Sequence, residues 1–443
     1  MKKVLFISYY FPPLGWSGVQ RSLKFVKYLR CFDWEPIVVT VKNSPFCIKD
    51  NTLLEEIPKN LKIIRIESST SKQYTDKIVN EIKKSIAPIL NVLPNDYCKF
   101  YEDYIYQGFN NTRTMLALPD DEVLWTCSVL RQIESAVNLN DIDLIYTTSG
   151  PYSAHFIGHT LKKKHAIPWV TDFRDEWTNY PYYTLDKNNI FFKIQREMET
   201  KILSFCDKVI TISPISKLNY IRNFNIDDSK ISIITNGYDE SDFNDIPRSN
   251  KNNKFTIIHN GSLYLERDPN SILKAINNLI DKGILDKEKI EIKFIGTCNP
   301  DIYKSIFENN QYNTIKYIQY LPHAQSLIEA SKADLLLLIV GKNPKLKSAY
   351  TGKIFEYLRL KTPILSLSPE NSVVEDLLNI TSCGKNFEFN DITSIENYIR
   401  ELYINWTQDN LNIHINEEEL KKFDRKFLTY KLSKVFDNIV SDQ

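Results

Sequence analysis

What this sequence lacks narrows what it can be. No stretch of its 443 residues reaches the roughly 18 apolar residues that a membrane-spanning helix needs. Its seven cysteines include no Cys-x-x-Cys pair, which argues against a zinc site and against a disulfide framework. Scattered cysteines of this kind fit reduced thiols in a cytoplasm. The formal net charge is only +1, so no global field points to a nucleic-acid partner. There is no internal repeat, no low-complexity tract and no metal-ligand cluster. The one Asp-x-Asp spacing considered, Asp141-Ile-Asp143, leads into a buried strand rather than a loop. The N-terminus enters a strand at once, and Tyr9-Tyr10-Phe11-Pro12-Pro13 interrupts its apolar run too soon for a signal peptide. What remains, 42% hydrophobic and 25% charged residues, is the composition of a globular chain of two or three domains.

One stretch organises the rest. Asp334 to Val340 is an apolar run of strand length, and Pro363 to Leu367 is another. Between them the spacing of Ile354, Phe355 and Leu358 predicts a helix from about Thr351 to Leu360. Its start carries Tyr350, Thr351, Gly352 and Lys353. Free N–H groups, the positive end of the helix dipole, a hydroxyl and an ammonium converge there, which is what a phosphate needs. One turn on, Glu356 stands in an otherwise apolar helix. It is either a ligandless surface carboxylate or an acceptor for sugar hydroxyls. A strand, an anion-binding helix start and a second strand make a nucleotide site at the carboxyl ends of a parallel sheet.

Strand–turn–helix units recur along the chain. Val4 to Ile7 reads as the first strand; the turn after it holds Gly15 and Gly18, which let backbone come close to a ligand. A helix from about Gln20 to Cys31 and a strand from Trp34 to Val41 follow. Ile78, Val79, Ile82 and Ile86 mark an amphipathic, partly basic helix that either packs on the sheet or touches an anionic membrane surface. Strands are predicted over Asp143 to Thr148, Pro168 to Asp172, Val209 to Ser213 and Ile231 to Asp239. His155 falls at a helix start beyond a strand end. Asp172, Arg174 and Asp175 crowd charge at another; they either form a salt bridge that shapes the loop or surround an acceptor hydroxyl or its phosphate. After a linker-like stretch the pattern restarts with Phe255 to His259, where Gly261 permits close approach and Arg267 can fork onto a pyrophosphate. Strands Ile290 to Gly296 and Ile315 to His323 and a helical tail over 411–443 complete the reading.

These residues resemble the retaining, GT-B-fold glycosyltransferases of family 4. The loop Phe11-Pro-Pro-Leu-Gly-Trp-Ser-Gly18 with Arg21, the Asn236-Gly237-Tyr-Asp239 ending, Gly261 with Arg267, and the Lys353 to Glu356 helix before Pro363-Ile-Leu carry the likeness. The blocks Pro119-Asp-Asp with Trp125, Ser149 to His155 and Asp172-Phe-Arg-Asp-Glu-Trp177 resemble a branch that builds bacterial surface polysaccharides. The resemblance implies an α/β fold of two Rossmann-like doubly wound domains facing across a cleft: residues 1–240, rejoined by the C-terminal helix at about 420–443, on the acceptor side, and 241–419 binding a nucleotide sugar. It implies a donor site of Gly15, Gly18, Gly261, Arg267, Thr351, Gly352, Lys353 and Glu356, with Glu356 on the ribose. It implies that His155, Asp172, Arg174 and Asp175 position the sugar and the acceptor. Cofactor and metal are expected to be absent, the nucleoside-diphosphate sugar being a co-substrate. It implies a lipid-linked or growing cell-envelope glycan as acceptor, which would place the protein in the cytoplasm at the inner face of the membrane. The family's motif has a Glu eight positions before Glu356, and this chain has Ser348 there. That departure keeps two other readings in view: a nucleotide-sugar epimerase, and a non-catalytic subunit supporting a partner transferase.

Overall fold

The computed structural model describes residues 1–15, 17–45, 48–67, 117–183, 185–246, 252–411 and 413–441, with single positions between 73 and 84. The chain divides into two compact units. The first holds residues 1–211, 220–232 and 432–443, and the second holds 212–219 and 233–431.

The first unit is built on a seven-stranded sheet of order β3-β2-β1-β4-β5-β6-β7. The strands are β1 (Lys2–Ile7), β2 (Trp34–Val41), β3 (Lys62–Ile66), β4 (Leu144–Thr148), β5 (Trp169–Phe173), β6 (Lys208–Thr211) and β7 (Ile231–Ile233). Pairing from β3 through β6 is parallel. Val4, Leu5, Phe6 and Ile7 are all fully buried, so both faces of β1 are covered, as a continuous apolar run in a parallel sheet requires. Helices α1 (Ser17–Leu29), α2 (Val123–Ala136), α3 (Ala154–His165), α4 (Ile190–Phe205) and α5 (Pro214–Phe224) connect these strands.

The second unit repeats the plan with six parallel strands, order β10-β9-β8-β11-β12-β13. They are β8 (Phe255–Asn260), β9 (Ile290–Ile295), β10 (Ile315–Ile318), β11 (Leu335–Ile339), β12 (Ile364–Leu367) and β13 (Gly384–Phe387). Its helices are α6 (Asn270–Asp281), α7 (Pro300–Glu308), α8 (His323–Ala330), α9 (Gly352–Leu360), α10 (Val373–Thr381), α11 (Ile392–Thr407) and α12 (Glu417–Lys421); α13 (Arg425–Ser441) ends the described chain. In each sheet the strand order reverses once, between β1 and β4 and between β8 and β11. The crevice beyond the carboxyl ends at such a reversal is where open α/β sheets bind ligands.

The predicted α9 is present, with Thr351 as its N-cap residue and Lys361 closing it in the left-handed conformation at φ 57°. Ile354, Phe355, Tyr357 and Leu358 form its buried face. Two predicted strands are shorter than read. The one from Ile231 stops at Ile233, and the one from Ile315 stops at Ile318; His323, read as its end, is instead the first residue of α8, with Pro322 as the N-cap. Strand β3 was not read at all: its pattern of partly exposed residues gives an edge strand little apolar signal. Of the predicted amphipathic helix, Val79, Ile82 and Ile86 lie outside the described residues. Among the described residues no helix is long and apolar enough to cross a membrane.

Candidate functional site

In the second unit, the carboxyl end of β8, the start of α8 and the start of α9 build one site. Beyond Asn260 the chain turns at Gly261, whose φ of +143° L side chains avoid. A Cβ built there would stand 1.7 Å from Lys353 Nζ and 1.9 Å from its Cε. The lysine head therefore lies across the bare glycine, and a side chain there would have to displace it. Lys353 is the second residue of α9, so the ammonium sits at the positive end of the helix dipole. Burial, reinforced by the Arg267 charge and opposed by Glu356, brings its pKa down to about 7.

Unpaired polar atoms gather round this lysine. Thr351 Oγ1 is buried and caps nothing, and Arg267 Nε is buried without a partner. The Arg267 guanidinium lies 4.6 Å above the Tyr264 ring. His259 is fully buried with Nδ1 on the Leu337 carbonyl at 3.0 Å and Nε2 unpartnered. Burial, and then the Lys353 charge, hold this imidazole near 3, so it is neutral. Buried polar groups are rarely left unsatisfied without a reason. Two cations, an idle hydroxyl and a free helix start are together the complement of a bound anion. Glu356, one turn further along α9, accepts from or shares a proton with His323 Nε2 at 2.8 Å. Ser348 closes a short turn with its hydroxyl on the Lys345 carbonyl at 3.3 Å.

In the first unit several of the expected site residues are enclosed by protein. Asp172, expected around the acceptor, is wholly enclosed. Arg21 Nε and Nη2 each donate to it at 2.7 Å, the Tyr146 hydroxyl at 2.7 Å and the Thr148 hydroxyl at 3.0 Å. Burial pushes this carboxyl up, but the Arg21 charge and these hydrogen bonds outweigh it and leave it below the ordinary range. The salt bridge that shapes the loop is thus Asp172 with Arg21, not with Arg174. His155 is also fully buried: Nδ1 meets Thr147 Oγ1 at 2.8 Å, and its ring lies 4.5 Å from that of Phe173. Burial takes it to about 3, so the imidazole is neutral, and its Nε2 is buried without a partner. Gly15, expected beside a ligand, instead meets protein. Its N–H donates to the Ile48 carbonyl at 3.0 Å, and a Cβ on it would come within 2.8 Å of Asp50 Cβ. Gly18 lies in the first turn of α1. Arg174 pairs with Asp175 at 3.4 Å, and the Asp175 side chain is the more exposed of the two.

Other groups here were given no role from the sequence. Asp120 accepts the Ser153 N–H at 2.8 Å, which brings the Asp120-Asp121-Glu122 run to the end of β4, near the β1–β4 reversal. Burial raises Asp120 to about 6; burial and the Asp120 and Asp121 charges raise Glu122 to about 8. The signal was the three consecutive carboxylates themselves. Glu199, in the middle of α4, holds the segment after Trp177: one oxygen accepts the Thr178 N–H at 3.0 Å and its hydroxyl at 2.5 Å. Its other oxygen is buried without a partner, and burial raises the carboxyl to about 7. Between its ordinary value of 4.5 and about 7, native Glu199 keeps a proton that the unfolded chain has lost, so its contribution to stability falls as pH rises through that window. Glu199→Gln cannot ionise. Its Tm should gain on wild type between pH 5 and pH 8; a constant difference across that range would show that Glu199 does not hold the proton.

The model of Glycosyltransferase Family 4 matches residues 94–242. Among curated proteins nothing matches the sequence. Solved structures share its fold along the whole chain. A glycosyltransferase from Rickettsia africae is 15% identical with a TM-score of 0.63, covering 100% of this chain and 99% of that one. HepE of Anabaena, solved with UDP-glucose, is 14% identical with a TM-score of 0.59 over 99% of this chain and 100% of its own. A Listeria monocytogenes protein described as a UDP-N-acetylglucosamine 2-epimerase is 12% identical with a TM-score of 0.52 over 100% and 98%. Over residues 94–242 the chain is matched by the Glycosyltransferase Family 4 model, and along its whole length it shares the GT-B fold of two parallel-sheet Rossmann-like units with solved glycosyltransferases.

Proposed function

We propose that the protein is a retaining glycosyltransferase whose second unit holds a nucleoside-diphosphate sugar and whose first unit offers the acceptor. The observation that carries this is the Lys353 head lying on Gly261 beside unpaired Arg267 Nε and Thr351 Oγ1. A diphosphate leaving group needs positive charge placed in advance where negative charge develops. Lys353, Arg267, the N–H groups at Gly352 and the Thr351 hydroxyl supply it without calling on a metal or other cofactor. Glu356 takes the ribose. In front-face displacement the acceptor oxygen bonds to the anomeric carbon as the bond to the β-phosphate oxygen breaks. That phosphate oxygen takes the acceptor's proton, and configuration is retained.

In the first unit, Arg174, Asp175 and Glu122, with the unpartnered Nε2 of His155, are the groups that meet the acceptor in this reading, because the Asp172 carboxylate is held by Arg21, Tyr146 and Thr148. The acceptor in this reading is a sugar or lipid-linked glycan of the bacterial surface, handled at the inner face of the cytoplasmic membrane. That follows from the polysaccharide-building branch that the Pro119, Ser149 and Asp172 blocks resemble. The fold shared with a 2-epimerase supports a second reading in which the donor sugar is inverted with no acceptor.

The test is thermal-shift binding of UDP-, GDP-, ADP- and CMP-linked sugars, followed by product analysis with and without added glycan acceptors. One donor class should stabilise the protein, by about 2.7 kcal/mol at a hundredfold excess over Kd. Transfer to an acceptor with the anomeric configuration kept is the expected chemistry. A 2-epimer formed from the donor alone would establish the epimerase, and binding with neither product would support the non-catalytic subunit.

A further inference from the structure

We propose that His323 is the positioning residue of the ribose subsite: it fixes one oxygen of Glu356 so that the other meets the 2′ and 3′ hydroxyls of the bound nucleotide. This rests on the reading of Lys353 and Arg267 as a diphosphate clamp. The first residue of α8 and the second turn of α9 are 33 residues apart in the chain, yet His323 Nε2 and Glu356 Oε1 lie 2.8 Å apart. Both side chains are one-fifth exposed, so the pair stands at the wall of the site rather than in the core or in bulk water. Glu356 makes no other hydrogen bond among the described residues. A carboxylate pinned at one oxygen presents the second in a fixed direction, and such outer contacts decide whether a binding group is held or merely present.

The surroundings make the pin rigid. Ser326, one turn after His323, donates to Asn260 Oδ1 at 2.7 Å and accepts from Asn260 Nδ2 at 3.2 Å. The Asn260 N–H donates to the hydroxyl of Tyr357, the neighbour of Glu356, at 2.8 Å. Strand β8, α8 and α9 are thereby tied in a ring, with His323–Glu356 as its solvent-facing member. The order along α9 also fits a nucleotide. Lys353 and Glu356 are three residues apart and share a helix face, about 5–6 Å between Cβ atoms. Phosphates at the helix start therefore place the adjoining ribose one turn on. Loss of His323 leaves α8 anchored by Ser326 and by buried Leu327 and Ala330, so the fold survives the test.

The experiment measures Kd for UDP and for 2′,3′-dideoxy-UDP with wild type, His323→Ala, His323→Gln, Glu356→Gln and Lys353→Ala, with the ADP, GDP and CDP pairs run alongside. Wild type should prefer the natural nucleotide. His323→Ala should lose about tenfold on it and little on the dideoxy form, the size of one hydrogen bond to a charged group. Glu356→Gln should behave alike, and His323→Gln, whose amide can still donate to Glu356, should recover most of the loss. Equal losses on both ligands, or an unchanged diol preference in His323→Ala, would overturn the proposal while leaving the nucleotide site intact. Binding of none of the four nucleotides by wild type would overturn the diphosphate reading itself, and this inference with it.

Discussion

Lys353→Ala should lower kcat/KM by about 10²–10³-fold, the usual effect of removing one preorganised group that stabilises developing charge, and should weaken nucleoside-diphosphate binding in parallel. The side chain has no other employment: among the described residues no carboxylate or carbonyl is hydrogen-bonded to its ammonium, and it rests on Gly261. Its depressed pKa adds two pH signatures. Below about 7 the free site holds an ammonium, and above it a neutral amine. A bound diphosphate favours the ammonium, so wild-type affinity should fall as pH rises through 7. Lys353→Arg, always charged, should show no such fall. The unfolded chain keeps its lysine charged up to about 10.5, so the buried ammonium costs the native state its full penalty below 7 and progressively less from there to 10.5. Lys353→Ala should consequently be at least as stable as wild type, most visibly at low pH. A variant that binds nothing yet melts higher identifies a group kept for function. Wild-type kcat/KM in Lys353→Ala would remove this residue from the site.

This half of the site was legible because it is local. The anion-binding start of α9, the apolar face of Ile354 and Leu358, Glu356 one turn on and Pro363 beyond the helix all lie within a dozen residues. Their relations follow from helix geometry. Arg267 and Gly261 were legible because a strand followed by a glycine turn puts a loop at the sheet's carboxyl end. The other half depends on contacts that spacing does not encode. Arg21 and Asp172 are 151 residues apart, and only parallel pairing of β1, β4 and β5 brings them together. Charge at a strand end reads the same whether it faces a ligand or is closed over by a helix from across the sheet, so the enclosure of Asp172 by Arg21 was not legible. His323 was hidden inside a strand predicted to run too far, and nothing in the residue spacing around Glu199 marks it as buried.

Asp172 yields the largest expected effect on stability. A buried ion pair is weak evidence of net stabilisation, because desolvating two charges offsets most of their attraction. Deleting one partner, however, strands the other in a medium that cannot solvate it, at a cost of about 3–5 kcal/mol. Asp172→Ala would leave the Arg21 guanidinium, only 2% exposed, with neither of its 2.7 Å bonds to that carboxylate, and would strip the Tyr146 and Thr148 hydroxyls of their acceptor. Arg21→Ala would leave an enclosed carboxylate that can lower its cost by taking up a proton, so it should be the milder variant at low pH. The double replacement Arg21→Met with Asp172→Leu should recover much of either single loss, since both members of the buried ion pair then leave together. The same pair sets an acid limit. Asp172 titrates lower in the native chain than its ordinary 3.8, so its stabilisation is complete above that value and is lost as pH falls through the lower native one. Chemical denaturation of the two single variants and the double variant, with nucleotide affinity measured on each while folded, separates holding from chemistry. Lost stability with unchanged nucleotide Kd places Asp172 beneath the site as the strut that lets Arg174 and Asp175 project from the end of β5. Wild-type stability with lost turnover would instead return Asp172 to the acceptor.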